Sequence, residues 1–164
     1  MAATIDLHLH TLASDGRLTP TELIQLVAKQ GLKTISITDH DSTEGLAEAY
    51  EAAKEFPDLR IIPGIEMSAD LPGNEVHVLG YFLDYHDVDF QASLTEFRRG
   101  RVDRAQIMVE RLEALGKPVE WERVQHFAGD GSVGRPHIAL AMVEAGYFKK
   151  PKEESEEYLG NDGL

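Results

Sequence analysis

Asp6-Leu7-His8-Leu9-His10 is the first stretch of this chain that offers chemistry. In an extended strand alternate side chains share a face. Asp6, His8 and His10 therefore point one way, and Ile5, Leu7 and Leu9 the other. Two imidazoles at i and i+2 can meet one metal ion or two adjacent ones, and Asp6 on the same face can orient a ligand from behind. An amphipathic strand with incidental histidines has the same pattern. Ser14-Asp15-Gly16 forms a loop that can aim a carboxylate back at the strand end, or is a plain Asp-Gly turn. Thr38-Asp39-His40-Asp41 closes the next β-rich run, where its polar residues can also simply cap a helix. Gly64-Ile65-Glu66 closes the third run. A Glu there is costly unless paired or metal-bound, and otherwise lies exposed beyond the sheet edge. His77, between Val76 and Val78, also reads as a satisfied core histidine.

The elements that must carry these residues alternate. Residues 4–9, 34–38, 60–65 and 75–83 read as strands, with Leu71-Pro72-Gly73-Asn74 as the turn between the last two. Thr19-Pro20-Thr21-Glu22 has the capping-box pattern, and the helix after it places Leu23, Ile24, Leu26 and Val27 on one face before stopping at Gly31. Ser42 is the expected cap of a second, alanine-rich helix ending before Pro57. This βαβα order predicts a parallel sheet or barrel in the first part. Donors at the C-terminal ends of consecutive strands then converge where α/β barrels place their sites. Six nitrogen and oxygen donors without a thiol suit Mn²⁺, Zn²⁺, Fe²⁺ or Mg²⁺. A bridging carboxylate such as Glu66 suits two metals about 3.5–4 Å apart, an arrangement that activates water for attack at phosphorus.

After Asp87 the pattern turns helical, over 88–115, 119–127 and 136–145, with Gly116-Lys117-Pro118 as a break and no evident strand. Residues 149–157 are strongly charged and read as solvated, and 158–164 show no closing element. The 164 residues carry 16 basic and 29 acidic side chains, a formal net charge of −13 that argues against a duplex-DNA face. No apolar run of about 18 residues is present to span a bilayer, and a signal-peptide pattern is absent. The lack of cysteine fits a cytoplasmic location.

The segments Asp6 to Thr11, Ser14-Asp15-Gly16, Thr38-Asp39-His40-Asp41, Gly64-Ile65-Glu66 and Glu75-Val76-His77 resemble, in order and spacing, the first motifs of the PHP (polymerase and histidinol phosphatase) superfamily. The resemblance implies an α/β fold, a distorted seven-stranded barrel of which this chain holds the first strands. It also implies two or three divalent metal ions, with manganese foremost and zinc, iron or magnesium as alternatives. His8, His10, Asp15, His40, Glu66 and His77 are then the expected ligands, with Glu66 bridging. A further histidine and an Asp-x-His pair expected on later strands lie beyond the present sequence, so the chain reads as an excerpt of a longer protein. Residues 1–87 read as the N-terminal part of the barrel and 88–164 as a helical insertion.

Arg101-Val102-Asp103-Arg104, Ile107, Arg111-Leu112 and Gly134-Arg135-Pro136-His137 resemble that insertion in a subgroup of nucleoside 3′,5′-bisphosphate phosphatases, some of which trim short RNA from the 5′ end. Arg98, Arg101 and Arg104 lie three apart, a basic stripe on a helix. Guanidinium groups bind phosphate bidentately, and a second substrate phosphate calls for such a clamp. Arg101, Arg104, Arg135 and His137 are accordingly the candidate substrate-binding residues. Surface pairing of the arginines with Glu96, Asp103 and Glu110, and a capping role for His137, are the alternatives. The expected partner is a small phosphorylated nucleotide or short RNA end, acted on by metal-activated water. A histidinol-phosphate or other monoester phosphatase is one alternative, and a non-catalytic metal-binding module another.

Overall fold

The computed structural model describes residues 4–71 and 74–149. Four strands, β1 (Ile5–Leu9), β2 (Thr34–Ile37), β3 (Arg60–Leu71) and β4 (Asn74–Tyr81), form one sheet in the order β1-β2-β3-β4. The first two pairings are parallel, connected through α1 (Pro20–Lys29) and α2 (Glu44–Ala53). Leu23, Ile24 and Val27 of α1 and Leu46 and Ala49 of α2 bury against Ile35, Ile37 and Ile61 of the sheet. Leu26, expected on that apolar face, is instead 40% exposed.

The helix starts follow local chemistry. Thr19 accepts the Glu22 amide on Oγ1 at 3.2 Å while the Glu22 carboxylate accepts the Thr19 amide at 2.9 Å, the reciprocal cap that spares two orphan donors. Gly31, at φ +83°, ends this segment. The cap of α2 differs from expectation. Thr43 is the N-cap and makes no side-chain cap bond, while Ser42 Oγ accepts the Glu44 amide at 3.3 Å.

The larger departure is β3. It continues well past Ile65 and pairs antiparallel with β4, with Gly64 opposite Tyr81 and Ser68 opposite His77. Glu66 is thus inside a strand, at the level where the parallel half of the sheet ends. The Pro72-Gly73 part of the expected turn, and the charged stretch from Lys150 onward, lie outside the described residues.

A 27-residue helix, α3 (Val88–Ala114), follows, then α4 (Trp121–Ala128) and α5 (Arg135–Glu144). They build a second apolar cluster in which Ala105, Leu112, Val124, Ile138 and Met142 are buried. The buried positions of α3 are Leu94, Arg101, Ala105 and Leu112, a single stripe of helical period. Arg101 therefore occupies a core position. Among the described residues, no helix is long and apolar enough to cross a membrane.

Candidate metal centre

The donors gather because the sheet register brings them to one edge. Beyond β2, His40 bridges to Glu66: the Asp41 amide donates to Glu66 O at 3.0 Å, and the Glu66 amide to Asp39 O at 3.2 Å. Close approach of β3 to β2 is possible because residue 64 is glycine. A Cβ there would stand 2.1 Å from Ser36 Oγ and 3.0 Å from Ile37 O. Gly16 does the same for the loop, since its Cβ would fall 2.4 Å from His10 O. Buried Asp39 fixes that loop by accepting the Thr11 amide, the Thr11 hydroxyl and the Ser14 hydroxyl, each at 2.7 Å.

Glu66 is the hub. Its Oε2 lies 2.8 Å from His8 Nε2, 3.1 Å from His10 Nε2 and 3.8 Å from His40 Nε2, and its Oε1 lies 2.8 Å from His77 Nδ1. Asp15 completes the ring, 3.2 Å from His10 Nδ1 and 3.7 Å from His40 Nε2. Consecutive imidazole centroids, from His8 through His10 and His40 to His77, are 5.0, 4.9 and 4.8 Å apart. Two donors bound to one ion at about 2.1 Å each can stand no more than about 4.2 Å apart, and all six pairings satisfy that limit. The donor set fits divalent metal: His8, His10 and Glu66, then His10, Asp15 and His40, then His40, Glu66 and His77 each form a group able to hold one ion. Glu66 is only 4% exposed, and His77 faces it from the open side of the sheet rather than packing in a core.

Burial, above all, depresses the His40 imidazole to about 4; the Arg101 charge adds to this, and Asp15 and Glu66 oppose it. For Glu66, burial pushes upward, but the hydrogen bond from His8 and the nearby imidazoles of His40, His8 and His10 outweigh it, leaving the carboxyl below its usual range. Burial raises Asp39 against its three hydrogen bonds from Thr11 and Ser14.

Asp6, expected behind the ligands, instead accepts the His8 backbone amide at 3.2 Å and so braces its own strand. The arginines form no solvent stripe. Arg101 is buried, its Nε donating to Asp41 and its Nη2 to Ser68 Oγ, and Arg98 pairs with Glu44 at 3.2 Å. Neither free clamps nor pairings with Glu96, Asp103 and Glu110 describe these two residues. Arg101 and Arg135 nevertheless wall a cleft of about 220 Å³ together with Asp15, His40 and His77. Arg101, Arg104 and Arg135 also share a narrow crevice beside Gly134. His137 is buried at the start of α5 and its Nδ1 accepts the Gly134 amide at 3.0 Å, a capping contact; burial lowers its imidazole.

Asp41, in the sequence only part of a polar motif that could cap a helix, is a keystone. At φ +48° and 1% exposure it accepts the Ser68 amide at 3.0 Å and the Arg101 guanidinium, joining the end of β2 to β3 and α3. Its polar neighbours in the Thr38-Asp39-His40-Asp41 segment mask it, and its partners are 27 and 60 residues away.

With this geometry in view, comparison with known proteins gives a consistent answer. The PHP domain family matches residues 6–159, and the chain belongs to that family. It is 38% identical over 162 residues to the 5′-3′ exoribonuclease Rnm of Escherichia coli K12, covering 96% of this chain and 54% of the relative. It is 35% identical over 158 residues to the 3′,5′-nucleoside bisphosphate phosphatase of Chromobacterium violaceum, covering 96% and 55%. A crystal structure from Bifidobacterium adolescentis, described provisionally as a metal-dependent phosphoesterase, superposes with a TM-score of 0.85 at 34% identity, covering 95% and 55%. The chain spans about half the length of the curated relatives it matches.

Proposed function

We propose that the protein is a metal-dependent phosphoesterase that releases phosphate from a small nucleotide such as a nucleoside 3′,5′-bisphosphate, with short RNA 5′ ends as a second substrate. The observation that carries this reading is a buried carboxylate with imidazoles on both oxygens, standing beside a cleft walled by arginines. The similarity to a bisphosphate phosphatase and an exoribonuclease supports it.

His8, His10, Asp15, His40, Glu66 and His77 are assigned as the ligands of two or three divalent ions, manganese foremost, with Glu66 shared between them. Bound there, the ions supply Lewis acidity and lower the pKa of a coordinated water towards neutrality. The chain's own residues do the rest. The depressed His40 keeps its ring neutral near pH 7 and so able to donate a lone pair. Arg101 has Nε and Nη2 committed to Asp41 and Ser68, so it lends charge to the cleft wall. Arg104 and Arg135 are the groups that grip the non-reacting phosphate. His137 holds the turn that presents Arg135. Two separate apolar clusters support reading residues 1–87 as barrel and 88–164 as an insertion carrying the substrate contacts.

Purified protein supplied with Mn²⁺ is expected to turn over a nucleoside 3′,5′-bisphosphate in preference to simple monoesters such as histidinol phosphate. His8→Ala or Glu66→Ala should lower the rate by at least a thousandfold, about 4 kcal/mol, with the far-UV circular dichroism unchanged. Wild-type rates in either variant would remove the metal assignment. Equal rates on monoesters would transfer the site to that substrate class, and bound metal without any turnover would leave a non-catalytic module.

A further inference from the structure

A groove of about 480 Å³ lies between α3 and the distal half of β3, outside the ring of metal donors. It is lined by Asp41, Met67, Ser68, Ala69, Phe97 and Arg104, among others. That volume falls within the roughly 300–1,000 Å³ of small-molecule sites. Its surfaces are mostly apolar, and Phe97 is 46% exposed although it belongs to neither apolar cluster. Its half-exposed ring thus offers a face to whatever occupies the groove.

The groove is continuous with the proposed phosphate site through named residues. Arg101 walls both the metal-side cleft and the narrow crevice, and Arg104 lines both that crevice and the groove. Phe97, Arg101 and Arg104 stand at i, i+4 and i+7 on α3 and so share one helix face. One turn, about 6 Å along the axis, separates the phenyl ring's position from Arg101. This order (apolar aromatic shelf, one turn of spacing, then guanidinium groups) matches the order base, ribose, phosphate in a nucleotide. Gly100 lies between them, and a Cβ built there meets nothing within 4 Å, so the floor is open.

We infer that this groove is the subsite for the substrate's nucleobase, with Phe97 as the face on which the base stacks. The inference rests on the phosphoesterase reading above and deepens it by assigning a specificity-determining residue. Stacking on an aromatic side chain needs only a π-face, so the site accepts different bases. The groove contributes affinity for nucleosides over plain sugar phosphates rather than discrimination among bases.

The test measures binding and turnover of two probes, adenosine 3′,5′-bisphosphate and its base-free counterpart, methyl ribofuranoside 3,5-bisphosphate. Wild-type protein should bind the first about fivefold or more tightly than the second, in the range reached by single base–aromatic stacks. Phe97→Ala should erase that difference through the nucleoside probe alone, raising its KM with kcat little changed, and Phe97→Trp should restore it. Gly100→Leu provides a second route. Its Cβ enters open space and its longer side chain occupies the groove, so it should weaken the nucleoside probe while leaving the base-free one as in wild type.

A base preference that survives in both Phe97→Ala and Gly100→Leu would overturn the inference. So would wild-type protein that handles both probes equally, with the phosphoesterase reading left standing. Protein that neither binds nor hydrolyses either probe would overturn that reading, and this inference with it.

Discussion

Glu66 is the residue on which the site turns. Its carboxylate is nearly inaccessible, yet it stays below the ordinary carboxylate range because imidazoles stand on both sides of it. Replacement by Gln keeps the shape but removes the charge, so Glu66→Gln should weaken divalent-metal affinity at least tenfold by calorimetry while the fold persists. His40 gives a pH signature in metal-free protein. Its folded value, about 4, lies below the ordinary 6.5, so between those values the unfolded chain holds a proton the folded chain does not. Its contribution is complete above about pH 6.5 and is lost as pH falls towards 4. Urea denaturation at a series of pH values should show that loss, and His40→Gln should flatten it.

Five of the six donors were visible as candidates from local sequence, whereas His77 reads locally as a core histidine and joined the set only through the family resemblance. His8 and His10 obey strand alternation, and Asp15, His40 and Glu66 sit where β-rich runs give way to polar residues. What local rules could not show is which polar residues pair at long range. Asp41 with Arg101 and Asp39 with Thr11 and Ser14 look, in sequence, like loop polarity. The three-residue spacing of the arginines was visible, but not that Arg101 turns inward on the buried stripe of α3.

At the scale of elements, the parallel βαβα order was readable from caps and apolar periodicity. The extension of β3 was not, because Met67 to Leu71 lacks a strong β-branched pattern and takes its conformation from pairing with β4. That pairing supplies His77, so the antiparallel hairpin is part of the site. Gly64 is its most sensitive point. A methyl group there meets Ser36, Thr38 and Ile37 at or below 3.0 Å, and Gly64→Ala should cost about 1–3 kcal/mol in denaturant midpoint measurements. It should also lower metal affinity, since β3 must move away from β2 and carry Glu66 with it.

At the scale of the whole molecule, the α/β half and the helical half have separate apolar cores. The buried Asp41–Arg101 pair, with Ser68, ties α3 to the sheet. Removing one member of such a pair leaves the other charge buried without compensation, which typically costs about 3–5 kcal/mol. Asp41→Ala should therefore lower the thermal midpoint sharply and open α3 to limited proteolysis ahead of the sheet. Arg101→Met combined with Asp41→Asn, which keeps an acceptor for the Ser68 amide and suits the positive φ, should recover much of the stability, yet not the affinity for phosphorylated ligand.

The most direct measurement is an anomalous-scattering map from crystals of the protein grown with Mn²⁺. Density within about 2.0–2.4 Å of Glu66 and of imidazole nitrogens from His8, His10, His40 or His77 is the predicted result. Manganese found only elsewhere, or none at this edge of the sheet at saturating concentration, would contradict the account.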